Sequence, residues 1–287
     1  MEYKFLSPDL IPLIHLTFHE AFSDYHVDVT YMTEEVIRNR ATKNGIDFGC
    51  SVGAFNGENM VGFTLVGIDV WQEQLSAFDI MTGITKPYRG KGIAREMFDY
   101  CLPKVRAKGV TNFVLEVLQE NDPAIKAYSK SGFEIVRSFS CFQTDPADIV
   151  LKNKKEPGIT IEKIDKSHLE GAIEFMDWQP SWENSITSLK RIPDELIVFG
   201  AYANDRLLGL LAYYPLIRWI NLLAVDRSFR RKGIARELLS ALLNNVDSSV
   251  NEIKAINVDS NDQAMHSFLL NAGFSQLTNQ YEMRMRL

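Results

Sequence analysis

Cysteine is scarce in this chain: Cys50, Cys101 and Cys141 are an odd number with no C-x-x-C spacing. That count argues against a disulfide framework or a zinc site and leaves reduced thiols that pack, and no histidine sits in a recognisable partner motif for a cysteine nucleophile. Long hydrophobic runs are missing too, none approaching the ~18 residues of a membrane span. The opening MEYKFLSPDLIPLIHL has neither the basic start, the long apolar stretch nor the small-residue cleavage site of a signal peptide. The expectation is a cytoplasmic protein without a membrane partner. Positive charge is in deficit, 31 Lys plus Arg against 37 Asp plus Glu for a net charge of −6. A nucleic-acid binder carries a basic stripe, so neither DNA nor RNA is expected as a partner. No G-x-x-x-x-G-K-[ST] occurs, which disfavours a nucleotide triphosphatase.

What is present is the composition of a globular protein, 46% hydrophobic and 24% charged. The 287 residues fit two domains of about 140, each able to bury a core. The charge divides unevenly: residues 1 to 150 hold 14 Lys plus Arg against 20 Asp plus Glu, whereas residues 151 to 287 hold 17 of each. The acidic first half favours a cationic ligand.

The chain also repeats itself. Arg89-Gly-Lys-Gly-Ile-Ala-Arg-Glu96 returns as Arg230-Arg-Lys-Gly-Ile-Ala-Arg-Glu237, identical at seven of eight positions and offset by 141 residues from Gly92 to Gly233. Downstream, the block Asn121 to Phe133 aligns with Asn261 to Phe274 after one inserted residue. Two collinear blocks at nearly one offset mark a tandem duplication. The polar segment 143–158, with two prolines and a lysine run, reads as a linker between domains 1–142 and 159–287.

Each copy follows one order of elements. Strand runs Ile46 to Phe55 and Met60 to Ile68 flank Asn56-Gly57, and Leu196 to Ala203 and Leu207 to Tyr214 flank Asn204-Asp205, both hairpin signals. A third strand, Leu75 to Thr85 or Trp219 to Val225, leads into the glycine turn. A helix follows, with Ile93, Met97, Tyr100, Cys101 and Val105 on one face in the first copy and Ile234, Leu238, Leu242 and Val246 in the second. Next come a strand, Asn112 to Leu118 or Ile253 to Val258, and a short helix; Asp122 and Pro123 are good N-cap and N1 residues and Gly132 a good C′ residue. The fold class is α/β (α+β), each half a mixed, mostly antiparallel twisted sheet flanked by helices.

Arg-x-x-Gly-x-Ala between a strand and a helix presents unpaired backbone N–H groups at the positive end of a helix dipole, a cradle for phosphate. Gly92 and Gly233 allow close approach, Ala94 and Ala235 keep the helix start thin, and the Arg and Lys side chains add charge. The dinucleotide fingerprint G-x-G-x-x-G is not met, since its third glycine falls on Arg95 and the second copy has Arg231 for the first.

These blocks resemble the GNAT (GCN5-related) N-acyltransferases, whose cofactor signature is [QR]-x-x-G-x-[GA]. Arg89, Gly92 and Ala94 match it, as do Arg230, Gly233 and Ala235. The family's second block, Asn-x-x-Ala-x-x-x-Tyr-x-x-x-Gly-Phe, is matched by Asn121, Ala124, Tyr128, Gly132 and Phe133; in the second copy Phe268 stands at the Tyr position. The resemblance implies two tandem GNAT-like domains and acetyl-CoA as co-substrate. It places the pyrophosphate on Gly90, Lys91, Gly92, Ile93 and Ala94, the thioester beside Thr82, Gly83 and Ile84, and Asn121 at the cofactor. The corresponding second-copy set is Arg230, Arg231, Lys232, Gly233, Ile234 and Ala235. Tyr128 is implied as the acid that protonates the thiolate; a Tyr packed in the core is the alternative. For the base, Asp79 and Glu116 are candidates beside a water chain. No metal is called for.

The second copy has Ile220 at the position of Asp79 and Val258 close to that of Glu116, so the first copy is expected to be the catalytic half. A tandem of this kind can take the part of a dimer, which suits a monomer. Between Phe5 and Ile37 there is no Lys or Arg, while Glu20, Asp24, Asp28, Glu34 and Glu35 alternate with Phe18, Phe22, Tyr25 and Tyr31. By resemblance this region walls the acceptor site, and a cationic amine would suit it. Solvated carboxylates with buried aromatics are the competing reading. A non-catalytic acyl-CoA sensor and an acyltransferase with a bulkier donor stay open beside the N-acetyltransferase.

Overall fold

The computed structural model describes residues 1–24, 29–151, 157–192 and 195–287. They form two compact units that are not contiguous in sequence: Met1–Val136 with Tyr281–Leu287, and Arg137–Gln280. The division expected after residue 142 differs from this. Gln143 and Thr144 close a strand that begins at Glu134, and residues 152–156 of the expected linker lie outside the described residues.

The N-terminal unit orders its strands β1 (Glu2–Phe5), β2 (Val52–Asn56), β3 (Asn59–Trp71), β4 (Gln74–Ile84) and β5 (Asn112–Leu118), with the last part of β12 (Ser275–Arg286), from Tyr281 on, beside β5. Leu287 N–H donates to Thr111 O at 2.9 Å, and Met283 and Met285 enter this unit's core. The pairs β1–β2, β2–β3 and β3–β4 are antiparallel; β4–β5 is parallel, from Ser76↔Asn112 to Asp79↔Leu115. Helices α1 (Ile11–Ala21) and α2 (Glu34–Lys43) precede β2, α3 (Ile93–Ala107) joins β4 to β5, and α4 (Asp122–Lys130) follows β5. The face of α3 formed by Ile93, Met97, Cys101 and Val105 is buried against β2 and β5 residues such as Val52, Ala54 and Phe113. Tyr100, expected on that face, is exposed instead and its ring lies 4.9 Å from that of Phe5.

The C-terminal unit repeats the pattern: β6 (Glu134–Thr144), mostly in this unit, lies beside β11 (Ile253–Asp259), followed by β10 (Trp219–Val225), β9 (Arg206–Tyr214), β8 (Ile197–Ala203) and β7 (Thr160–Ile164). There β10–β11 is parallel, at Trp219↔Lys254 and Ile220↔Ala255, and β6–β11, β9–β10, β8–β9 and β7–β8 are antiparallel. Helix α5 (Ile186–Arg191) precedes β8, α6 (Ile234–Leu243) packs Ile234, Leu238, Leu239 and Leu242 inward, and α7 (Gln263–Ala272) follows β11. The β8–β9 turn has Asn204 at φ 48° and Asp205 at φ 64°, the double left-handed geometry of a tight hairpin.

Candidate active site

In both units the parallel strands part soon after they meet, and a bulge sits at the point of parting. Against β3, Met81 faces Leu65 and Asp79 faces Val66, so Ile80 is the extra residue; against β9, Ile220 faces Tyr213 and Leu222 faces Ala212, so Asn221 is extra. Beyond Asp79↔Leu115 the β5-facing edge of Ile80–Ile84 has left its partner strand. The bulge also redirects side chains. In a regular strand residues three apart point to opposite faces; the extra residue brings Asp79 and Thr82 onto one face.

A small polar cluster results. Thr82 Oγ1 lies 2.9 and 2.8 Å from the two carboxylate oxygens of Asp79, and Tyr128, from α4, donates its phenolic O–H to Asp79 Oδ2 at 3.1 Å. Thr64, opposite Thr82 on β3, adds its hydroxyl at 2.9 Å from Thr82 Oγ1; since Thr82 donates to the carboxylate, Thr64 is the donor to Thr82. Burial pushes the Asp79 carboxyl up to about 6, against the downward pull of the hydrogen bonds from Thr82, Tyr128 and the Met81 amide. Tyr128 also packs its ring 5.7 Å from that of Phe133, so its packing and its hydroxyl contact coexist. Glu116 is half-buried on β5, one residue past the last pair with β4.

The glycine turns adopt the same backbone twice. Gly90 and Arg231 have φ of 73° and 66°, and Gly92 and Gly233, the N-caps of α3 and α6, have φ of 83° and 91°. Arg231 thus holds a left-handed conformation that glycine takes more readily, as the repeat geometry demands. Residues 89–92 are exposed, and the first helical N–H in use is that of Glu96, bonded to Gly92 O. A Cβ on Gly90 would meet nothing within 4 Å. An exposed row of donors with open space before it fits the phosphates of acetyl-CoA. Lys91 lies over the Tyr88 ring and Lys232 over the Phe229 ring, at 5.1 and 4.6 Å from the centroids, placing a cation beside each turn.

The side chains of the signature arginines are bonded within the protein. Arg89 grips Asp24 with two bonds of 2.9 and 2.8 Å, donates to Ala21 O and to Ile84 O at 3.2 Å, and gives its own N–H to Lys86 O. Arg230 donates likewise to Phe175 O at 2.8 Å and Val225 O at 3.0 Å and makes one bond to Asp177 Oδ2, while Arg227 donates to Asp177 Oδ1 at 2.7 Å. Both guanidiniums tie the end of the strand before the turn to a segment earlier in their unit. Hydrogen bonding by Arg89 holds the Asp24 carboxyl below the usual range. Asn121, placed at the cofactor by resemblance, is the N-cap of α4, accepting from Ala124 N–H at 3.2 Å; Asp122, expected there, is the first helical residue.

Around the expected acceptor wall, Asp24 is taken up by Arg89, Glu20, Glu34 and Glu35 are exposed, and Phe18 is buried. Phe22 approaches β4 so closely that a Cβ on Gly83 would sit 3.0 Å from its ring. Tyr25 and Asp28 lie outside the described residues. No helix among the described residues is long and apolar enough to cross a membrane.

The fold is that of the GCN5-related acetyltransferases, built twice. A solved tandem GNAT protein from the clavulanic acid biosynthesis pathway matches with a TM-score of 0.73 over 99% of this chain and 98% of its own, at 12% identity. A GCN5-related N-acetyltransferase from Sphaerobacter thermophilus matches with a TM-score of 0.72 over 99% and 95%, at 16% identity. The model of the acetyltransferase (GNAT) family matches residues 10–133 and 164–274, and the chain belongs to that family. Among characterised relatives it is 35% identical over 75 residues to streptothricin acetyltransferase of Streptomyces lavendulae and 34% identical over 86 residues to mycothiol acetyltransferase of Corynebacterium aurimucosum. Those stretches are 26% and 29% of this chain and span 39% and 27% of the relatives' own lengths.

Proposed function

We propose that the N-terminal unit transfers an acetyl group from acetyl-CoA to a primary amine, with Asp79 and Tyr128 acting as one proton relay. Bound acetyl-CoA supplies the acetyl group as an activated thioester. The amides of residues 90–94 hold its phosphates, and the freed edge of Thr82–Ile84 lies along its acyl end, where backbone N–H groups stabilise negative charge on the carbonyl oxygen. Asp79, ionised at neutral pH, takes the proton that the amine gives up as its nitrogen bonds to the acetyl carbon. Tyr128 gives its phenolic proton to the departing sulfur and recovers one from Asp79. One proton thus travels from nitrogen to sulfur and both side chains return to their starting state.

The observation that carries this reading is the 3.1 Å hydrogen bond from Tyr128 to Asp79 beside the parted strands. It favours Asp79 over Glu116 as the base. In the second copy Phe268 and Ile220 stand at these two positions, so the relay belongs to the first copy alone. Two relatives are named for small molecules, streptothricin and mycothiol, which favours a small-molecule acceptor over a protein one. The test is release of free thiol from acetyl-CoA across an amine panel. A Tyr128→Phe variant with unchanged turnover would remove the relay, and cofactor binding without thiol release for any amine would make the protein a sensor.

A further inference from the structure

The C-terminal unit has the same parted strands, but something stands between them. The parallel ladder ends at Ile220↔Ala255, and the next residues are Asn221 on β10 and Ile256 on β11. A single side chain from outside the sheet spans this point: Asn184 Oδ1 accepts from Asn221 Nδ2 at 2.8 Å, and Asn184 Nδ2 donates to Ile256 O at 2.7 Å. One residue further along β11, Asn257 takes a left-handed φ of 59° and donates from Nδ2 to Ser181 Oγ at 3.1 Å. Ser181, Trp182, Glu183 and Asn184 are all buried, Trp182 to 1% exposure. Ser188 Oγ donates to Trp182 O at 2.8 Å and fastens the segment to α5.

In the N-terminal unit the matching register positions are Ile80 and Glu116, each following the last parallel pair, Asp79↔Leu115. Isoleucine has no group with which to join such a bridge. The two copies therefore differ at the mouth of the cleft as well as in proton-transfer residues.

We infer that the C-terminal unit has closed its acyl cleft with its own segment Ser181–Asn184, so that the chain has two phosphate cradles but one acyl-CoA site. An arm entering between β10 and β11 would have to break the Asn184 bridge, strip Ile256 O and the Asn221 and Asn257 amides of their partners, and lift Trp182 from a fully buried position. Each buried polar group left unpaired opposes that opening, as does exposure of the indole. The inference rests on the reading of the N-terminal cleft as the open site.

The test is calorimetric titration of the full chain with acetyl-CoA, together with hydrogen exchange of amides 181–185. Arg231, at φ 66°, shows that the turn tolerates a side chain at the position of Gly90, so Gly90→Glu and Arg231→Glu place a carboxylate at the same point of each turn, the first at the added cost of a left-handed φ that glycine takes more readily. Expected are one site per chain, lost in Gly90→Glu and kept in Arg231→Glu, with residues 181–185 equally protected with and without ligand. A second site, or one that survives Gly90→Glu and disappears in Arg231→Glu, overturns the closure. A wild-type chain that binds no acetyl-CoA removes the proposed function instead. The closure then stands if amides 181–185 are protected and falls if they exchange like an unstructured peptide.

Discussion

The phenolic oxygen of Tyr128 meets Asp79 Oδ2 at 3.1 Å across 49 residues of sequence, joining the tyrosine of the family's second block to a carboxylate on the strand before the cradle. Tyr128→Phe removes the proton donor and one hydrogen bond that favours the charged carboxylate. Turnover by thiol release should fall about 10²-fold or more while the KM for acetyl-CoA changes little. With one stabilising donor gone, the acidic limb of the pH–rate profile should move to higher pH.

The raised pKa of Asp79 sets two pH dependences of opposite sign. A base that must be ionised gives activity that rises through about pH 6. Stability runs the other way. The folded carboxyl is raised from 3.8 to about 6, so the folded state holds its proton where the unfolded state has lost it, and this contribution is complete below about 4 and gone above about 6. Asp79→Asn should therefore raise stability at pH 7 by up to about 2–3 kcal/mol while suppressing turnover. Denaturant melts at pH 4 and pH 7 check it: the gain should appear at the higher pH and vanish at the lower.

Arg89→Lys and Arg230→Lys should each lower the thermal midpoint, because one ammonium cannot replace a guanidinium that bonds a carboxylate, twice for Asp24 and once for Asp177, and reaches two carbonyls as well. Thermal melts and titration with acetyl-CoA separate the roles. Arg89→Lys should weaken binding through a misplaced turn, whereas Arg230→Lys should leave acetyl-CoA affinity unchanged.

Gly67 on β3 lies so close to the loop after α2 that an added Cβ would stand 2.1 Å from Asn44 O. Backbone must move to admit it, although Gly67 has no positive φ. Gly67→Ala should cost about 3 kcal/mol or more by chemical denaturation, whereas Gly57→Ala, with open space but a φ of 62°, should cost about 1 kcal/mol.

Much of this molecule is local and could be read directly. The α3 face through Ile93, Met97, Cys101 and Val105, the strands Asn112–Leu118 and Trp219–Val225, and the twin turns at Gly92 and Gly233 follow from periodicity and turn chemistry within a few residues. Tyr100 misled because residues three and four apart share a helix face, and it lies just beyond the edge that the core covers. The arginine clamps were hidden for a different reason. Asp24 and Asp177 are 153 residues apart, not 141, so comparison at the repeat offset cannot pair them.

The sequence by itself determined that one α/β unit occurs twice, that each copy carries the same basic glycine turn between strand and helix, and that Tyr128 and Asp79 of the first copy are replaced by Phe268 and Ile220 in the second. Those properties depend on residue type at short spacing, which folding does not alter. Tertiary structure alone decided that Asp79 and Tyr128 touch, that Tyr281–Leu287 belongs to the first unit, and that Asn184 bridges the parted strands of the second. Each of these depends on strand register, on one extra residue in a bulge, or on a loop returning across a sheet. Those are choices among long-range pairings that many sequences with the same local pattern could resolve differently.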